Sequence, residues 1–362
     1  GTSDLILEIE DTDRHRLVLD VDNYLNRFSG SLRTALLAEG ANPFGRGARF
    51  WVLPSWWGNA QGTGTAPVSA GLEMPLSTDG LSMSASANYG EYRLLDSFYD
   101  DNINGSTFAG QASVIQPLWR RRDRSLFVQI GGGYYAFNDN LASLQIDNKQ
   151  AGVGRLSLIG MNRDNWFGVA VNTLVLGISA GSVDLSGNQI YQAFDALTAN
   201  VQGGYVKGSL LYLRQQQFDQ RWGARLQLIG QVAGENLDGF EQCGLGWPNG
   251  VRAYPPGAAS SSNCLVGQLD LNVQLNEWLT LVGFVDGGLG QRWVDPFPGA
   301  LTPNGYGLAG GGVGFDLGRP QQWMVNLRAA FPFGANTLND NGLDVDGFDP
   351  AARVWAGLRL WL

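Results

Sequence analysis

Cys264-Leu265-Val266-Gly267-Gln268-Leu269-Asp270-Leu271-Asn272-Val273-Gln274-Leu275 decides the fold class. Leu265, Leu269, Leu271, Val273 and Leu275 share one parity, and Val266, Gln268, Asp270, Asn272 and Gln274 share the other. A period of two describes a strand that is apolar on one side and wet on the other. Its length, on the order of 10 residues, also suits a tilted strand crossing a bilayer. Immediately upstream, residues 233–262 are rich in glycine and proline and carry Val251-Arg252-Ala253-Tyr254. An arginine-bearing loop of roughly 30 residues thus hangs from a candidate transmembrane strand, and loops that long are usually functional or disordered.

The composition agrees with a β protein. The chain has 51 glycines, about twice the usual share, and 12 tryptophans. Its mean hydropathy is -0.11, and no run approaches the ~18 apolar residues of a membrane helix. These features suit an outer-membrane barrel and a soluble all-β protein equally. A net charge of -9 argues against nucleic acid, which requires clustered Lys and Arg.

Sixteen strands are predicted, at 14–21, 30–38, 48–56, 66–75, 80–89, 106–116, 124–136, 151–162, 165–178, 201–214, 219–232, 263–274, 277–289, 307–317, 320–330 and 351–362. From the middle of the chain onward the connections alternate long and short: 137–150 then 163–164, 179–200 then 215–218, 233–262 then 275–276, 290–306 then 318–319, then 331–350. That sorting is the layout of an outer-membrane barrel with short periplasmic turns and long outer loops. A soluble sandwich has no reason to adopt it. Trp119, Trp166, Trp222, Trp278, Trp323 and Trp361 all fall at short-turn ends, as an interfacial girdle would. In-strand Arg225 and Arg328 oppose the apolar rows of their strands, where a wet lumen tolerates them.

Enzymatic chemistry is not expected. Gly177-Ile178-Ser179-Ala180-Gly181 matches the nucleophile-elbow pattern but lacks its strand-turn-helix context, and the one histidine, His15, lies at the other end of the chain. One histidine and two distant cysteines make no zinc site, and no metal or other cofactor is expected. Asp340, Asp344, Asp346 and Asp349 fit no calcium-loop spacing and read as a solvated acidic loop. The run Arg120-Arg121-Arg122-Asp123-Arg124 reads as a solvated short turn.

Gly244-Leu245-Gly246-Trp247-Pro248-Asn249-Gly250-Val251-Arg252-Ala253-Tyr254 resembles the sixth-loop signature of the two-partner secretion transporters, the TpsB group. Phe284-Val285-Asp286-Gly287-Gly288 resembles the same family's signature on strand thirteen. Gly1-Thr2-Ser3-Asp4-Leu5, Asp22-Asn23 and Asn42-Pro43-Phe44-Gly45 resemble the junction and first hairpin that follow the periplasmic POTRA repeats. Ser262-Asn263 and the terminal Leu362 depart from the family pattern. The resemblance implies an all-β, sixteen-stranded antiparallel transmembrane barrel over residues 1–362, in the outer membrane of a Gram-negative bacterium. POTRA domains would lie upstream, and loop 233–262 would fold into the lumen. It implies a pore that passes one cognate, largely unfolded exoprotein to the cell surface without nucleotide hydrolysis. The expected partners are that exoprotein, outer-membrane lipid and lipopolysaccharide, and the barrel-assembly machinery during biogenesis. A barrel-assembly factor of the same superfamily, a passive porin and a lipolytic barrel using Ser179 remain as alternatives.

Three expectations concern particular residues. Arg252 should contact Asp286 within the barrel, with Tyr254 and Phe284 beside it, because a guanidinium grips a carboxylate in a fixed geometry. Pairing of Asp286 with Arg225 or Arg328 is the alternative. Gly287 and Gly288, with Gly310, Gly312 and Gly314 on the neighbouring strand, should remove side-chain bulk where the loop docks. Cys243 and Cys264 flank the loop on the oxidising side of the cell and should form a disulfide.

Overall fold

The computed structural model describes residues 15–43, 47–59, 62–94, 103–142, 144–334, 336 and 343–362. Residues 1–5, Phe44-Gly45 of the first-hairpin motif and Asp340 lie outside them. The first strands are β1 (His15–Asp22), β2 (Leu32–Ala41), β3 (Arg49–Asn59) and β4, whose two halves Gly62–Thr65 and Val68–Pro75 are parted at Ala66-Pro67. Proline has no N–H for the ladder, so the pairing breaks there. The series continues through β5 (Ser82–Arg93), β6 (Ile103–Arg120), β7 (Arg124–Leu141), β8 (Leu144–Asp164), β9 (Val169–Asp184) and β10 (Gly203–Gln217). It ends with β11 (Trp222–Ala233), β12 (Asn263–Gln274), β13 (Leu279–Gln291), β14 (Gly305–Arg319), β15 (Trp323–Pro332) and β16 (Arg353–Trp361).

Each strand pairs antiparallel with the next, and Val18 to Asp22 of β1 pair with Trp361 to Gly357 of β16. The sheet is therefore a closed barrel of sixteen strands. Closure is what lipid demands, since an open edge would leave backbone polar groups with no partner.

The alternation read in the sequence sorts the two walls. On β12 and β13, Leu265, Leu269, Leu271, Leu281, Val285 and Leu289 are exposed on the outer wall, whereas Val266, Gln268, Asp270, Val282, Phe284 and Asp286 are buried towards the lumen. Register keeps the outer row continuous: Leu226 lies opposite Leu269, and Leu269 opposite Val285. At the short-turn end, Trp278 and Trp323 pack with ring centroids 6.4 Å apart, and Arg319 sits 3.8 Å over Trp278. The arginine run is exposed in the turn after β6.

Three expectations about the loops are corrected. Residues 137–150 are mostly strand: β7 and β8 pair out to Leu141 and Leu144, with a register shift at Asp139/Asn140. Asn138 to Asn140 and Asp147 to Lys149 interrupt the apolar alternation that marks the lower strand, although the ladder continues through them. The segment 179–200 loses its first residues to β9 and holds a helix, α1 (Gln189–Leu197), capped by the Asn188 side chain on the N–H groups of Ile190 and Tyr191. The acidic loop is only partly solvated, because Asp344 and Asp346 are buried in salt bridges to Arg353, at 2.8 and 2.7 Å. Desolvated carboxylates need such a partner.

Candidate functional site: the sixth loop and its seat in the lumen

Residues 234–262 join β11 to β12 as the sixth loop on the long-loop side. Cys243 and Cys264 are joined by a disulfide across its second half, beside a short ladder of Cys243–Gly244 with Ser260–Ser261. Within it, Val251 N–H donates to Leu245 O at 2.6 Å and Tyr254 N–H to Val251 O at 3.1 Å, closing a compact turn. Gly250 is required there: a Cβ would fall 2.0 Å from the Leu245 carbonyl oxygen. The turn seats Leu245, Val251 and Ala253 against Val266, Val282 and Leu308 of the lumenal wall, all of them buried. Burial of each larger apolar side chain contributes about 1.5–3 kcal/mol relative to exposure.

Arg252 stands at the centre of this seat with 4 % of its surface exposed. Its backbone N–H donates to Asp286 Oδ2 at 3.0 Å, its Nε to the same oxygen at 2.8 Å, and Nη2 to Asp286 Oδ1 at 2.7 Å. Nη2 also donates to Asp270 Oδ1 at 2.5 Å. The guanidinium lies 3.8 Å from the centroid of the Phe284 ring. Above it, the Trp355 indole N–H donates to the Arg252 carbonyl at 2.7 Å, and Gln268 Nε2 donates to the Gly250 carbonyl at 2.6 Å. One cation is thus held by two carboxylates, one ring face and the neighbouring backbone. Burial alone would lower the Arg252 pKa, but the bonds and charges of Asp286 and Asp270 reverse the sign and raise it.

Asp286 does not pair with the two strand arginines considered as alternatives. Arg225 Nη1 lies 3.7 Å from Asp270 Oδ2, and Arg328 donates to both oxygens of Asp316. Tyr254 is buried among the apolar residues of the seat, and its phenol is raised by that burial and by the nearby Asp344 and Asp349.

Only some of the five expected glycines meet the loop. A Cβ on Gly310 would come 2.6 Å from the Ala253 Cβ, and one on Gly288 would come 3.5 Å from Leu245 and Val251. Gly312 instead makes room for the Phe284 ring, and Gly314 for Arg328. Gly287 has nothing within 4 Å of its Cβ position, because alternation turns it to the outer wall with Val285 and Leu289. Gly290, which sequence reasoning did not single out, lies under Ser261 and Leu245. Asp270 and Trp355 were missed as parts of the site as well. The sequence pattern marks Asp270 only as a wet-face residue, and register supplies what the pattern lacks: it lies opposite Phe284 while Asp286 lies opposite Gln268. The two carboxylates are therefore diagonal neighbours. Ser179 of the nucleophile-elbow match lies within continuous β9, and His15 begins β1. Among the described residues, no group of three or more His, Cys, Asp or Glu is placed to hold a metal ion.

The sequence model of the haemolysin secretion/activation protein family ShlB/FhaC/HecB matches residues 1–317. The chain belongs to that family. It is a two-partner secretion transporter barrel of the Gram-negative outer membrane. The heme/hemopexin transporter protein HuxB of Haemophilus influenzae is 22 % identical over 354 residues, covering 94 % of this chain and 60 % of HuxB. CdiB from Escherichia coli shares the fold at a TM-score of 0.80 and 15 % identity, over 98 % of this chain and 64 % of that one. CdiB from Acinetobacter baumannii does so at 0.74 and 14 %, over 97 % and 60 %. The chain therefore spans less than two thirds of the length of these relatives.

Proposed function

We propose that this barrel is the conduit through which a ShlB/FhaC/HecB-type transporter passes a cognate, largely unfolded exoprotein to the cell surface, with the sixth loop as its gate. The observation that carries this reading is the seat of Arg252. A polypeptide conduit needs a wide, polar lumen that is obstructed at rest, and the obstruction must have a defined position from which to move. Arg252, Asp286 and Asp270 supply that position as a charge-assisted latch whose parts lie on a loop and on two rigid strands. Phe284 and Tyr254 complete the seat, and Gly288 and Gly310 give it depth. Movement of the chain is driven by its folding outside the cell, with no nucleotide or cofactor. The outer apolar belt meets lipid and lipopolysaccharide, and the barrel-assembly machinery inserts the protein.

The latch acts by location more than by stability. Released from it, the loop remains tied at both strand ends and wanders in the lumen, obstructing passage without a productive route outward. Arg252→Ala and Asp286→Ala should each abolish or sharply reduce surface delivery of the cognate exoprotein, while heat-modifiable barrel assembly is kept. The double variant should be little worse than either. Full delivery by both single variants rules the latch out.

A further inference from the structure

The first half of the sixth loop packs on the adjoining wall of β7, β8 and β10 in a second seat. Phe240 inserts against the rings of Tyr135 and Phe137 on β7, with centroids 5.3 and 5.4 Å away. On one side of it, Asp238 pairs with Lys149 of β8 at 3.1 Å. On the other, Glu241 pairs with Arg155 of β8 at 3.0 Å and forms a salt bridge with Lys207 of β10. Lys207 also donates to the Glu241 backbone carbonyl at 2.8 Å, and Arg155 to the Tyr135 hydroxyl at 2.8 Å. Asp238 and Glu241 are themselves buried. The wall therefore presents three cations and two aromatic rings in one patch. The segment Asp238-Gly239-Phe240-Glu241 answers it with an aromatic residue bracketed by two carboxylates.

We infer that this patch of Tyr135, Phe137, Lys149, Arg155 and Lys207 is a binding site for acidic–aromatic peptide segments, occupied at rest by the loop's own residues 238–241. The inference rests on the reading of the lumen as a polypeptide conduit. When the loop leaves, Arg155 and Lys207 lose Glu241, and Lys149 loses Asp238 while keeping Asp147 of its own strand at 3.3 Å; a passing segment of the same chemistry restores the lost partners. Burial makes this exchange costly to leave incomplete, because an unpaired desolvated charge is strongly unfavourable. A site satisfied first by the gate and then by the passenger couples removal of one to arrival of the other. The coupling is competition for one patch, so the docked loop lowers the apparent affinity for a peptide by the fraction of molecules in which the patch is free.

The test uses the purified full-length transporter in detergent and a fluorescent peptide with the sequence of residues 236–242. Asp238→Ala/Phe240→Ala/Glu241→Ala vacates the patch, and its barrel is checked by heat modifiability. The vacated protein should bind the peptide at least 10-fold more tightly than the wild type. A peptide with Gln in place of its two acids should bind at least 10-fold more weakly, and adding Arg155→Gln/Lys207→Gln to the vacated protein should remove binding. Absence of peptide binding, or binding indifferent to the acids or to the wall cations, overturns the proposal. Should the vacated variant fail to assemble, hydrogen exchange of residues 236–242 in Lys207→Gln gives the second reading. It should rise when free peptide competes, and indifference to peptide is fatal. Neither measurement depends on secretion, so failure here is distinguishable from failure of the conduit reading.

Discussion

Removal of the Arg252 side chain is the sharpest perturbation of the latch. Arg252→Ala deletes three side-chain hydrogen bonds, two to Asp286 and one to Asp270. It also leaves two carboxylates facing each other, of which the Asp286 side chain is 0 % and the Asp270 side chain 12 % exposed. Breaking a buried ion pair from one side costs about 3–5 kcal/mol. The lower figure applies where lumenal water can relax the survivors, and ~3 kcal/mol changes the docked-to-released ratio by about 100-fold. The amides of Leu245, Val251 and Tyr254, which donate within the docked turn, report that ratio directly. Hydrogen exchange followed by mass spectrometry should show their protection falling by about two orders of magnitude, with the amides of β12 and β13 unchanged. Asp286→Ala should do the same, and the double variant should be no worse, since it removes the cation together with its main partner. Unchanged protection in Arg252→Ala would refute the argument, because it would mean that the apolar seat alone holds the loop.

Four further outcomes follow from the same geometry. Gly310→Val should expel the turn, since even a Cβ meets Ala253 at 2.6 Å, whereas Gly287→Ala, in open space, should leave exchange in the loop unaltered. Trp355→Phe keeps a ring against Trp247 but loses the indole N–H bond to the Arg252 carbonyl, and should weaken docking by about 1 kcal/mol, read as a roughly fivefold fall in protection. In a cysteine-free background, Leu269→Cys should react only with lipid-soluble maleimide, and a wet Leu269 would place the register one residue out. The unreduced protein should contain no alkylatable thiol, and reduction should loosen the loop by up to ~3 kcal/mol from chain entropy.

The strands were legible because lipid on one side and water on the other impose a period of two, as Leu269 and Asp270 show. The Arg252–Asp286 contact was legible because both residues stand in stretches that resemble the two signatures of the TpsB group. The second carboxylate was not, since Asp270 becomes a partner only through the register of β12 on β13. The second seat was not either: Lys149 lies in a stretch rich in polar residues, Asn138 to Lys149, that reads as a turn until β7 and β8 are seen to pair through it. The helix Gln189–Leu197 lies in a segment that reads as a loop between two strands. Its signal was present, with Ile190, Phe194 and Leu197 at i, i+4 and i+7 behind the cap Asn188, but the segment is short and those apolar residues are exposed in the fold.

The central claim, that the sixth loop must leave its seat for a polypeptide to pass, is tested most directly by locking it there. The Leu245 Cβ lies 3.6 Å from the Cβ position of Gly288, within the ~3.5–4.5 Å span of a disulfide. Leu245→Cys/Gly288→Cys, built in a background with Cys243→Ser and Cys264→Ser that still secretes, should stop surface delivery of the exoprotein when oxidised and recover it on reduction. Delivery that continues undiminished through the crosslinked barrel would contradict the account.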